Sequence, residues 1–120
     1  NQEVSLLIGD YYARVPLAST PNIQHGNAVA SRWEDRFPDI MFDYIIGNPP
    51  YVGKKVRSAQ QVADMDSVLK GLDNRGELDY VACWYQRAIE YLRAHPRTMV
   101  AFVSTNSITQ GEQVGILWPH

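Results

Sequence analysis

The stretch Gly47-Asn48-Pro49-Pro50-Tyr51 is built from the residue types of an acceptor site. Neither proline has a backbone N–H, and Pro50 holds Pro49 in an extended conformation. The carbonyls of Asn48 and Pro49 are therefore stiffly presented, with no local donor to compete for them. Asn48 adds a side-chain carbonyl and Tyr51 a flat aromatic face. Such a site suits a planar ligand that offers an NH2 group, and the exocyclic amine of a nucleobase answers that description. An isolated Asn-Pro-Pro-Tyr string also serves as a strand-ending turn, so its setting decides between the two.

Ile40 to Ile46 is a nearly continuous apolar run, the pattern of a parallel strand covered on both faces, and it stops abruptly at Gly47. Ser58 and Gln61 form a capping-box pattern, and Val62, Met65, Val68, Leu69 and Leu72 follow at helical spacing until Asn74-Arg75-Gly76 breaks the helix. From Leu78 to Ala94, the residues Val81, Trp84, Tyr85, Ala88, Ile89 and Leu92 mark the strongest amphipathic helix, stopped by His95-Pro96. Met99 to Val103 reads as a second buried strand that empties into Ser104-Thr105-Asn106-Ser107, and Gln110 to Leu117 begins a further helix. Strand, helix, strand predicts a βαβ unit and an α/β class with parallel strands. Upstream, Val4, Leu7, Ile8, Tyr11 and Tyr12 describe one face of a helix ending before Pro16. A linker, a short strand and turn over Asn22 to Asn27, and a polar, turn-like Trp33 to Asp39 come next. Open parallel sheets bind ligands at the carboxyl ends of their strands, which points to Gly47–Tyr51 and Ser104–Ser107.

The chain has 120 residues, 45% hydrophobic and 20% charged, which fits one globular domain and not two. One Cys and three His exclude a disulfide framework and argue against a zinc cluster. No apolar run approaches the roughly 20 residues of a membrane span, and no signal peptide is recognisable. Eleven Lys and Arg against thirteen Asp and Glu give a net charge of −2, so any nucleic-acid contact must be local and not a matter of bulk electrostatics. Lys54, Lys55 and Arg57 are the only charges between Tyr44 and Ala63. They are either phosphate contacts directly after the proposed base pocket or an ordinary solvated run.

Asp43-Tyr44-Ile45-Ile46-Gly47-Asn48-Pro49-Pro50-Tyr51 resembles motif IV of S-adenosylmethionine-dependent DNA adenine-N6 methyltransferases. His25-Gly26-Asn27-Ala28 is similar to the preceding motif III, Leu78-Asp79-Tyr80 to the start of the motif V helix, and Val103 to Val114 to the following strand and loop. With Tyr11 to Leu17, this order is most similar to the methyltransferase segment of the MmeI-like (type IIL) fused restriction-modification enzymes, over nearly the whole chain. The resemblance implies a partial Rossmann-like class I methyltransferase fold, three layers α/β/α, in a prokaryotic cytoplasmic protein. It also implies direct methyl transfer from S-adenosylmethionine to the N6 amine of an adenine flipped from double-stranded DNA. Asn48, Pro49, Pro50 and Tyr51 then form the catalytic motif, with Tyr51 stacking on the flipped base. Asn27, Asp79, Ser104 and Asn106 lie around substrate and cofactor. Each of these four also has a plain reading: a turn residue after Gly26, an acid favoured at a helix N-terminus, and caps at a strand end. Methylation at carbon 5 of cytosine needs a Cys nucleophile near its motif, and Cys83, the only thiol, falls mid-helix among core residues, which excludes that reaction.

The family's glycine-rich motif I and the acid that binds the cofactor ribose are not in this sequence; they would precede Asn1. The chain is thus expected to be part of one methyltransferase domain, with a helix and linker over 1–21 and the motif III to VI region over 22–120. In the family's sheet two further strands separate the motif III strand from the motif IV strand, a gap of three spacings of roughly 4.8 Å each. Unpaired edges seek partners, so the isolated chain is expected to be inactive, to bind cofactor weakly, and to rearrange, swap strands or dimerise. Two rival readings stand beside this one. Similar sites methylate a glutamine amide in a release factor or a guanine amine in ribosomal RNA, although Ser104 to Val114 fits the DNA group better. The other is a non-enzymatic DNA-binding or assembly remnant.

Overall fold

The computed structural model describes residues 22–119. The helix expected from Val4 to Tyr12 and most of its linker lie outside the described residues. Four α-helices and two strands follow in the order α1 (Trp33–Arg36), β1 (Tyr44–Gly47), α2 (Ala59–Val68), α3 (Ala82–Ala94), β2 (Met99–Phe102) and α4 (Glu112–Leu117). Single 3-10 turns occupy Lys54–Val56, Arg75–Glu77 and Asn106–Thr109.

The capping box forms as its spacing requires: Ser58 Oγ accepts from the Gln61 N–H at 3.2 Å, and Gln61 Oε1 accepts from the Ser58 N–H at 2.9 Å. The helix it opens, α2, turns Met65 and Val68 inward, with Leu69 and Leu72 just beyond its end, to meet Leu78, Tyr80, Ala82 and Cys83. Val62 stays 46% exposed. Asn74, at φ 55°, makes the break between the helices in a left-handed conformation that Asn tolerates better than most residues. The helix expected from Leu78 starts only at Ala82. Before it, the chain runs as a tighter turn, with Ala82, Cys83 and Trp84 N–H groups bonded three residues back. Cys83 therefore sits in the first turn of α3 and not mid-helix, fully buried.

β1 and β2 pair in parallel, Tyr44 with Met99 through Gly47 with Phe102, and α2 and α3 lie in the connection between them, which makes the expected βαβ unit. Two expectations fail here. Strand β1 begins at Tyr44 and not Ile40, because the chain turns at Phe37–Ile40 and the Phe42 N–H is taken by the Tyr91 hydroxyl at 3.0 Å. The strands are also covered on one face only. Ile45, Val100 and Phe102 are half-buried, Phe102 edge-on to Tyr85 of α3, while Tyr44, Ile46 and Met99 alternate outward at 68%, 80% and 62% exposure. Among the described residues there is thus one helical layer against the sheet and not two.

The short strand read over Asn22 to Asn27 does not form either. A strand gains its backbone hydrogen bonds only from a neighbour, and among the described residues β1 and β2 pair only with each other. This segment is tied down by side chains instead: Gln24 Nε2 donates to the Arg36 carbonyl at 3.0 Å, and Asn27 reaches Asp64. Gly26, at φ +150°, lets Arg36 lie against it, since a Cβ there would meet Nη2 at 2.8 Å. Trp33 to Asp39, read as turn-like, begins with the single helical turn α1.

Candidate active site

The two strands end side by side. The last ladder bond runs from the Val103 N–H to the Gly47 carbonyl at 3.0 Å, so Asn48 and Ser104 leave the sheet together. Pro49 is buried, whereas Asn48, Pro50 and Tyr51 are exposed. The Tyr51 hydroxyl donates to Asn48 Oδ1, which fixes which end of the Asn48 amide is the acceptor and leaves the second lone pair of that oxygen open. Tyr51 is 43% exposed, so its ring also remains available as a face.

What holds this loop in place comes from the helices. The Val52 carbonyl accepts from the Tyr80 N–H at 3.0 Å. Next to Tyr80, Asp79 Oδ2 accepts from Ser107 Oγ at 2.8 Å and from Gln113 Nε2 at 3.1 Å, and the Asp79 N–H donates to Gln113 Oε1 at 3.0 Å. The Asp79 segment thus clamps the loop after β1 to the loop after β2. Its other oxygen, Oδ1, faces Gly53, where a Cβ would sit 3.6 Å away. Ser104 Oγ is buried at the end of β2 without a hydrogen-bond partner among the described residues, and Asn106 is exposed, its carbonyl accepting from Thr109 Oγ1 at 2.9 Å.

Asn27 stands apart from this clamp. Its Nδ2 donates to Asp64 at 2.8 Å and its Oδ1 accepts from the Val29 N–H at 3.1 Å. The three basic residues after Tyr51 divide. Lys54 pairs with Glu77. Arg57 turns inward, donating to the Gly76 carbonyl at 2.9 Å and lying against Met65 Sδ, with its Nε buried. Lys55 is exposed and makes no ion pair among the described residues. Burial pushes the Cys83 thiol up to about 12, with the Asp64 charge adding to it, so this sulfur stays protonated and unreactive at neutral pH.

The whole chain, residues 1–120, matches the family model of the MmeI DNA-methyltransferase domain. The chain belongs to that family. It is 39% identical over 106 residues to DNA methyltransferase A of Bacillus subtilis (strain 168), a match covering 87% of this chain and 12% of the relative. It also superposes on the type IIL restriction-modification enzyme MmeI, solved in complex with DNA, with a TM-score of 0.76 and 44% identity, over 99% of this chain and 16% of the MmeI chain. The chain thus spans well under a fifth of either relative.

In this MmeI-type segment, Ser107 lies in the strand-end stretch to which the sequence points, whereas nothing in the sequence marks Gln113, Tyr80 or Asp64 individually as a site residue. Asp64 and Asp66 flank the apolar stripe of α2 on either side, and only the fold buries the first of them. No helix among the described residues is long and apolar enough to cross a membrane, and none of their His, Cys, Asp and Glu residues group as metal ligands.

Proposed function

We propose that the protein to which this segment belongs transfers a methyl group from S-adenosylmethionine to the N6 amine of an adenine flipped out of double-stranded DNA, within a restriction-modification system. The observation that carries this reading is the acceptor end of β1, where Asn48 Oδ1 is held by the Tyr51 hydroxyl next to two consecutive residues without N–H groups. Asn48 Oδ1 and the Pro49 carbonyl would take the two protons of the amine. Both are neutral amide oxygens, too weakly basic to remove a proton before transfer. Their contribution is to favour the pyramidal nitrogen, aim its lone pair, and strengthen their hydrogen bonds as positive charge develops on it. The Tyr51 ring would stack on the extruded base.

Bound S-adenosylmethionine supplies an electrophilic methyl group on a sulfonium. Among the residues present, Asn27 would meet its nucleoside, and the buried, unpartnered Ser104 hydroxyl at the adjoining strand end fits a polar ligand there. The rest of the cofactor site is not expected within these 120 residues, and on this reading the segment alone is inactive. Lys55 is the member of the basic loop best placed to touch a phosphate, since Lys54 and Arg57 are engaged with Glu77 and Gly76.

The test is transfer of labelled methyl from S-adenosylmethionine to mixed-sequence duplex DNA by the intact protein, with and without Asn48→Ala. Label on adenine N6 that disappears in the variant is expected. Label on protein or RNA would move the reaction to a glutamine amide or guanine amine, and no label from a cofactor-binding protein would leave only a non-enzymatic role.

A further inference from the structure

Asp64 is the most connected polar side chain outside the clamp just described. It is 7% exposed and holds three donors: Tyr80 Oη at 2.6 Å and Asn27 Nδ2 at 2.8 Å on Oδ2, and Gln60 Nε2 at 3.0 Å on Oδ1. Burial disfavours its charge, but the hydrogen bonds from Tyr80, Gln60 and Asn27 outweigh burial and hold its pKa below the ordinary aspartate value. At neutral pH it is a pure acceptor. It therefore fixes the polarity of whatever faces it.

Asn27 faces it. With Nδ2 on Asp64 and Oδ1 on the Val29 N–H, the Asn27 amide is held from both ends and cannot flip. One N–H and one lone pair remain to be presented outward, in a fixed order. The same carboxylate oxygen receives Tyr80, the neighbour of Asp79 and the partner of the Val52 carbonyl. One buried carboxylate thus joins the motif III turn to the segment that clamps both strand ends.

We propose that Asp64 is a positioning residue: it orients the Asn27 amide toward the cofactor nucleoside. This rests on the methyltransferase reading above. Removing the acceptor frees the amide to present donor where acceptor is needed, which weakens ground-state binding of the cofactor and leaves the transfer step alone once cofactor is saturating.

The experiment measures equilibrium binding of S-adenosylmethionine to the intact protein, kcat at saturating cofactor, and hydrogen exchange at the Val29 amide. Asp64→Asn is expected to weaken cofactor binding about ten-fold or more, as for a lost hydrogen bond to a charged acceptor. It should also speed exchange at Val29 and leave kcat within about two-fold. Asn27→Asp sets two carboxylates face to face and should weaken binding too. Adding Asp64→Asn to that variant removes the repulsion and should slow exchange at Val29 again and improve binding in part, though not fully, because a carboxylate at position 27 presents no N–H. A folded Asp64→Asn protein with unchanged affinity overturns the proposal. So does an Asn27→Asp background that Asp64→Asn fails to improve, an outcome that can be read even if the single Asp64 variant does not fold. A wild-type protein with no measurable cofactor affinity removes the methyltransferase reading itself, and this inference with it.

Discussion

The two ends of the same pair of strands are finished in opposite ways. At the amino ends, the Tyr91 hydroxyl accepts the Phe42 N–H at 3.0 Å, Thr98 Oγ1 donates to the Phe42 carbonyl at 2.6 Å, and the Phe42 ring packs on Tyr91 and Phe37. Tyr91 is fully buried and Thr98 nearly so. At the carboxyl ends, Asn48, Tyr51 and Asn106 are exposed and a buried Ser104 hydroxyl has no partner among the described residues. One end is closed by its own hydrogen bonds, whereas the other keeps polar groups in reserve. On the function proposed above, the chemistry belongs to the open end, and Asp79, bonded to Ser107 and Gln113, ties the loops there together.

If this division holds, substitutions at the two ends separate activity from stability. The largest effect is expected at the open end: Asn48→Ala should lower kcat by about 10²–10³, the range for removing one preorganised transition-state contact. Its thermal midpoint should stay at the wild-type value, because the side chain is exposed and, among the described residues, bonded only to Tyr51. A large drop in midpoint, measured by calorimetry, would make the two ends alike. Tyr91→Phe tests the closed end. It leaves the Phe42 N–H without its acceptor and should cost about 1–3 kcal/mol in denaturant unfolding. Methyl transfer by the fraction that remains folded should not change.

How far this was legible in the sequence varies along the same line. Helix α2 and its capping box, the parallel pairing of β1 with β2 and the abrupt end of β1 at Gly47, ahead of Asn48–Tyr51, all follow from local spacing and residue type, and they are present. The missed features depend on what lies across the fold. An apolar run such as Ile40 to Ile46 signals burial on two faces but not whether a second layer is there, and Ile46 is 80% exposed. The start of α3 shifted to Ala82 because Asp79 is held by Gln113 and Ser107, contacts 34 and 28 residues away that no local periodicity encodes. Lys54, Lys55 and Arg57 look equivalent as a charge run, and only the positions of Glu77 and Gly76 distinguish them.

That distinction yields a smaller, sharper test. Lys55→Ala should weaken duplex binding by the intact protein and reduce the slope of log affinity against log salt by about 1, as for one lost phosphate contact. Arg57→Ala should leave the slope alone and lower the unfolding midpoint instead, since its guanidinium ties the loop to Gly76 and Met65. Equal salt slopes for both variants would mean that the inward turn of Arg57 does not set the loop's role.

The smallest expected effect lies within the motif itself. Tyr51 has two separable parts, a hydroxyl that orients the Asn48 amide and a ring that faces outward. Tyr51→Phe removes only the hydroxyl, and kcat should fall roughly 2–10-fold, the equivalent of one ordinary hydrogen bond. Tyr51→Ala removes the ring as well, and its further loss should appear in affinity for DNA with an extruded adenine, where stacking contributes about 1–3 kcal/mol per base. If Phe and Ala behave alike in both readouts, the ring does not stack. If Tyr51→Phe costs as much as Asn48→Ala, the hydroxyl is more than a brace, and orienting the Asn48 amide is itself the main work of the open end.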